Sequence, residues 1–187
     1  MRLSLIPPPR LTPSQKPLYE DMRKVINSHL GVFRSMRDDG ALMGPWNPWL
    51  HEPVFGGPIW EFAKVMTTKA TLPEAARQVA ILVVGAHYKA AYEMYAHTAV
   101  AHDQGMPMSK VATIVAGLRP TDLTDEEGCA YDVASTLVRG GILPDICYTR
   151  AVTLFGDHAA NELIFLVGLY CLVSVTLNGF NVAVPTE

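Results

Sequence analysis

Residues 72–107 read LPEAARQVAILVVGAHYKAAYEMYAHTAVAHDQGMP, and this stretch decides the fold class. Leu72-Pro73-Glu74 is a helix start. A proline in the first turn loses nothing, because the N–H it lacks has no partner there, and the glutamate meets the positive end of the helix dipole. Ala76, Val79, Ala80, Val83 and Val84 follow at helical spacing. A second helix is expected from about Tyr88 to Gln104, stopped by Gly105 with Pro107 beyond. Neither segment alternates polar and apolar residues as a half-buried strand would.

The same punctuation continues outward. Ser109 can cap a short helix to about Ala116, and Thr124 with Glu127 is a capping box that opens a helix ended by Gly140-Gly141. Pro144-Asp145 open another, Gly156 ends it, and Asp157 can cap the last. Toward the amino terminus, Tyr19, Met22, Val25 and Ile26 mark one apolar face of a helix from near Ser14 to about Leu30. Residues 31–53, rich in Gly, Pro and Trp, read as a long loop; after Gly56-Gly57-Pro58 a helix is expected over Ile59–Lys69. The expectation is an all-α bundle of seven or eight helices: a single domain over residues 14–187 behind a proline-rich extended arm, residues 1–13.

Composition narrows the class. At 187 residues the chain is one domain, and 49% hydrophobic with 18% charged residues excludes disorder for the bulk of it. A net charge of −3 without long runs of one sign gives no footprint for nucleic acid. Three cysteines, Cys129, Cys147 and Cys171, form no CxxC; no disulfide framework and a reducing, cytoplasmic location are expected. The opening MRLSLIPPPR is too short before its prolines to be a signal-peptide core. Leu163–Val173 is an unbroken apolar run of eleven, but Ser174, Thr176, Asn178 and Asn181 interrupt it before the length of a membrane span. A core or subunit-interface helix is expected instead, no membrane partner, and a homo-oligomer that hides the apolar surface.

The polar cluster His87–His102 carries the candidate chemistry. On one helix Lys89, Glu93 and His97 stand four residues apart and share a face. A carboxylate one turn from an imidazole can accept its N–H and fix its tautomer, which makes a tuned acid or base near neutral pH. Lys89 would meet a substrate carboxylate or pair with Glu93; the competing reading is a solvated face laced by ion pairs. No H-E-x-x-H occurs, and Glu-x-x-His does not recur as a di-iron site needs, so no metal is expected. Tyr92 and Trp49 are candidates to line a pocket, and His51, beside Trp49, to cover it. His102 and His158 are expected at the surface, and the cysteines in packing roles.

The block Leu72–Leu82, then Tyr92-Glu93 through His97-Thr98-Ala99-Val100-Ala101 to Gly105, resembles the carboxymuconolactone decarboxylase / alkyl hydroperoxidase D-like family. Its flanks agree at Trp49-Leu50-His51-Glu52-Pro53 and Leu177-Asn178-Gly179-Phe180-Asn181, so the resemblance covers about residues 45–184. It implies an AhpD-like helical bundle assembled as a trimer or hexamer. The hydroperoxidase branch carries Cys-x-x-Cys-x-x-x-His; here those cysteine positions hold Ala90 and Glu93, and the acid that assists the thiols falls on Gln78. Disulfide chemistry then lacks its nucleophile. The resemblance therefore implies the decarboxylase branch, a lyase without a cofactor. His97 would be the proton donor and Glu93 its orienting partner, with Lys89, Tyr92, His51 and Trp49 around a small carboxylic acid or lactone. An isomerase using the same pair, or a non-catalytic assembly protein of the same fold, are the alternatives. The amino-terminal helix and the Trp-rich loop are additions to the shorter decarboxylase.

Overall fold

The computed structural model describes residues 1–29 and 31–185, and of His29 only the backbone. Eight α-helices form an all-α bundle: α1 Lys16–His29, α2 Trp46–His51, α3 Pro53–Thr68, α4 Glu74–Tyr88, α5 Ala91–Asp103, α6 Met108–Val115, α7 Asp125–Leu137 and α8 Asp145–Gly179. No strand occurs among the described residues, only an isolated bridge between Met36 and Leu42. The expected end of the first helix at Leu30, and Thr186 and Glu187 at the end of the expected domain, lie outside the described residues.

Helix α4 is the axis of the bundle. Every residue from Ala76 to Gly85 is buried, and α5, α6, α7 and α8 pack around it. A helix this largely apolar belongs in such a core, with Arg77 and Gln78 as its buried polar exceptions. The caps are those the sequence announces: Thr124 Oγ1 accepts from the Glu127 N–H while Glu127 reaches back to the Thr124 N–H. Gly156, at φ 77°, breaks α8 into segments 145–155 and 157–179, where the sequence places two helices. By length and composition α8 could cross a membrane, and half of its most apolar window is buried inside the fold.

Three local expectations are corrected. Residues 46–51 are helical rather than loop, and α3 starts at Pro53 instead of Ile59. Gly56 is there for contact, not as a break: a Cβ on it would collide with the Trp49 backbone, so it lets α3 close onto α2. Helix α5 starts at Ala91 rather than Tyr88. Lys89 adopts a left-handed conformation (φ 52°), and the Lys89 and Ala90 N–H groups bond to the Ala86 and Gly85 carbonyls at 3.2 and 3.0 Å, which ends α4 in a tight corner.

The amino-terminal arm is tied down. It holds one 3₁₀ turn, Pro8–Arg10, while Ile6 and Leu11 enter the core. The Arg2 N–H donates to the Phe180 carbonyl at 2.9 Å, and the Asn47 side chain bonds to Ser4 and Ile6. The arm thus spans from the end of α8 to α2.

Candidate active site

Helices α4 and α5 bring the acid–base residues together. Gly85 lacks a Cβ where one would sit 3.3 Å from the Glu93 Cγ, so the Glu93 side chain can lie against α4. It is only 3% exposed. One turn later, His97 Nε2 stands 3.1 Å from Glu93 Oε1. That oxygen nevertheless has no hydrogen bond, so it lies off the ring N–H axis.

The other imidazole nitrogen is held from α4. His97 Nδ1 is 2.8 Å from Gln78 Oε1. Gln78 Nε2 donates to Glu74 Oε1 at 2.8 Å, and Gln104 Nε2 donates to the same oxygen at 3.1 Å. A carboxylate only accepts, so this chain fixes the Gln78 amide and leaves its oxygen for His97. Nδ1 therefore carries a proton and donates it to Gln78, and Nε2 is left as the exchanging nitrogen. Nε2 stands beside the Glu93 carboxylate without a hydrogen bond to Oε1. The face of His97 is closed by Tyr170, whose ring stands edge-on at 5.1 Å between centroids.

Both residues line a partly enclosed cavity of about 90 Å³. Its walls include Trp46 and Trp49 from α2, Trp60 from α3, Tyr92 from α5 and Tyr170 from α8. Burial pushes the phenols of Tyr92 and Tyr170 well above their ordinary value, so both stay protonated. Tyr92 is fixed by donating to the Arg34 carbonyl at 3.1 Å, and Phe33 packs edge-on against it. Gly44, at φ +59°, lies where any Cβ would overlap the Tyr92 ring.

Arg77 also lines the cavity. Its Nη1 donates to the Met66 carbonyl at 2.9 Å and faces Glu162 Oε1 at 3.4 Å. Glu162 is itself a cap for the start of α4: its Oε2 accepts from the Thr71 N–H, the Thr71 hydroxyl and the Leu72 N–H at 2.7, 2.8 and 3.1 Å. Burial raises the Glu162 carboxyl, but these donors and Arg77 outweigh it and hold the group below the usual carboxylate range.

Of the residues singled out from sequence, Glu93, His97, Tyr92 and Trp49 meet at this cavity. Lys89 does not join them. It sits exposed in the corner before α5, so the expected face of Lys89, Glu93 and His97 on one helix does not exist. His51 Nε2 donates to the Ser4 carbonyl at 2.8 Å and secures the arm; it is not part of the cavity wall. His102 and His158 are exposed. Burial pushes the thiols of Cys129 and Cys171 up, away from thiolate reactivity. Among the described residues no group of three or more His, Cys, Asp or Glu side chains could hold a metal ion. Sequence reading missed the tether from Gln78 and the places of Arg77 and Tyr170. The available signal for Arg77 and Gln78 was their position two and one residues before Val79, inside the core face of α4. No protein-family model and no curated protein matches this chain.

Proposed function

We propose that this chain is a cofactor-independent acid–base enzyme of the carboxymuconolactone decarboxylase type, acting on a small carbonyl acid or lactone. The observation that carries the reading is one contact: His97 Nε2 and Glu93 Oε1, 3.1 Å apart on the cavity wall, while Nδ1 is committed to Gln78. Such a ring offers a single exchanging proton in a fixed direction, which is what protonation of carbon requires.

In the proposed reaction the carbon–carbon bond to the carboxylate breaks and carbon dioxide leaves. Its electron pair enters the neighbouring carbonyl as an enolate. The His97 imidazolium then gives its Nε2 proton to the carbon, and water restores that proton to the neutral ring. Glu93 stands beside Nε2, and Gln78 holds the ring plane. Walls of tryptophan and tyrosine keep bulk water from competing for the enolate. Isomerisation beside a carbonyl uses the same proton with no loss of carbon, and is the second reading. The assembly we propose is a homo-oligomer, a trimer or hexamer, because Phe165, Leu172 and Val175 stand exposed along the uncharged part of α8.

The test is a screen of lactone acids and enolisable keto acids for carbon dioxide release, with solvent-deuterium incorporation read in parallel. His97→Asn should lower turnover by about 10²–10⁴-fold while circular dichroism stays unchanged. A folded His97→Asn protein that works at the wild-type rate would make His97 a packing residue.

A further inference from the structure

The cavity residues leave polar atoms unmatched. Among the described residues, four buried side-chain atoms have no hydrogen-bond partner: Trp49 Nε1, Arg77 Nε, Glu93 Oε1 and Ser174 Oγ. Three of the four belong to residues that line this one cavity. Two of these three, on Trp49 and Arg77, are donors. Leaving a buried donor unpaired costs about 1–3 kcal/mol, so such a cluster asks for an acceptor that the protein does not supply.

Arg77 is the stronger of the two. It is 6% exposed, and its only hydrogen bonds in the described structure are through Nη1, to Met66 and, at 3.4 Å, to Glu162. Its Nε forms an ion pair with Glu74 Oε2 at 3.4 Å but makes no hydrogen bond. Glu162 does not cancel it fully, because the short bonds to that carboxylate come from Thr71 and Leu72 rather than from the guanidinium. The Nε side of the guanidinium, which makes no hydrogen bond although Glu74 stands beside it, is shaped for a carboxylate. The one other cation expected here from sequence, Lys89, lies outside the cavity.

We propose that Arg77 is the carboxylate anchor of this cavity, with the Trp49 N–H as a second donor, and that the substrate is a small 3-oxo monocarboxylate, whose carbonyl can take up the electron pair that carbon dioxide leaves behind. This rests on the acid–base reading above and supplies its substrate class. The cavity is small, about 90 Å³, and partly enclosed.

All three tryptophans of the chain line the cavity, so intrinsic fluorescence reports on its occupancy. Titration would compare 3-oxobutanoate with pentane-2,4-dione, a neutral molecule with the same number of non-hydrogen atoms. The acid should bind at least about tenfold more tightly to the wild type, as expected for one charge-assisted pair. Arg77→Gln should erase that preference and Arg77→Lys should reduce it, since a point charge replaces the fork. Should Arg77→Gln fail to fold, Arg77→Lys and Trp49→Phe carry the same test. Equal binding of both probes, binding of neither, or an acid preference unchanged in a folded Arg77 variant overturns the anchor. The two readings fail separately. An acid that binds through Arg77 but is never turned over retires the catalysis and keeps the anchor; turnover of a neutral ketone with no acid preference does the reverse.

Discussion

Glu162→Gln isolates the carboxylate on which α3, α4 and α8 converge. In the wild type one oxygen takes three bonds at 2.7, 2.8 and 3.1 Å from Thr71 and Leu72, and the other faces Arg77 at 3.4 Å. The amide keeps an oxygen for the three donors but loses the charge. Bonds to a charged acceptor are worth about 1.5–3 kcal/mol against about 0.5–1.5 for a neutral one, so the three together lose roughly 3 kcal/mol. Arg77 is then a buried cation facing an amide, and breaking a buried pair from one side costs about 3–5 kcal/mol. The two figures overlap, since each counts the same lost charge, and the expected net loss is about 3–5 kcal/mol. At about 2–4 °C per kcal/mol for a chain of this size, Tm should fall by about 6–20 °C. The sign with pH is fixed by the direction of the shift. A carboxyl held below its unfolded value contributes stability above that value and loses it as pH falls through the folded one. The gap between wild type and Glu162→Gln should therefore be widest near neutrality and close as pH drops below about 4. Thermal melts followed by circular dichroism at pH 7 and at lower pH measure both. A variant within about 2 °C of the wild type at pH 7 would refute the argument, because that is less than one charge-assisted bond.

Gln78→Leu removes the tether on His97 Nδ1 and should lower turnover by about 10–100-fold through misplacement of the ring. Its distinguishing readout is ¹⁵N chemical shift, which should show His97 passing from one tautomer to a mixture; an unchanged tautomer would rule the tether out. Gly44→Ala forces a side chain into the left-handed region against the Tyr92 ring and should cost about 2–4 kcal/mol in urea melts; a loss under about 0.5 kcal/mol would mean the loop moves aside freely. Light scattering at micromolar concentration should give a multiple of the 20.5 kDa chain mass, and a monomer would end the proposed assembly.

What the sequence made legible, and what it hid, divides along one line: local backbone signals against side chains that meet across helices. Thr124 and Glu127 form a capping box wherever the helix goes, and Gly156 breaks α8 because its own φ does so. Glycines were read as breaks by the same logic, and there the logic failed at Gly56, whose reason is the Trp49 backbone seven residues earlier. Lys89 failed similarly. Spacing put it on a face with Glu93 and His97, but spacing presumes one continuous helix, and Lys89, in a left-handed conformation, ends α4 and stays outside α5. Glu93 and His97 survive because both fall beyond the corner, on α5. The partners that give them a direction come from farther along the chain: Gln78 from α4 and Tyr170 from α8. Glu162 shows why such partners are invisible in one dimension. It stands as the last charge before a long uncharged run, which reads as a boundary of composition. In space it is the acceptor that closes the start of α4, ninety residues away, and the counter-charge that holds Arg77 beside the cavity. A single carboxylate thus couples the stability of the central helix to the electrostatics of the site, and for that reason a change at Glu162 should disturb acid binding even though the residue is absent from the cavity wall.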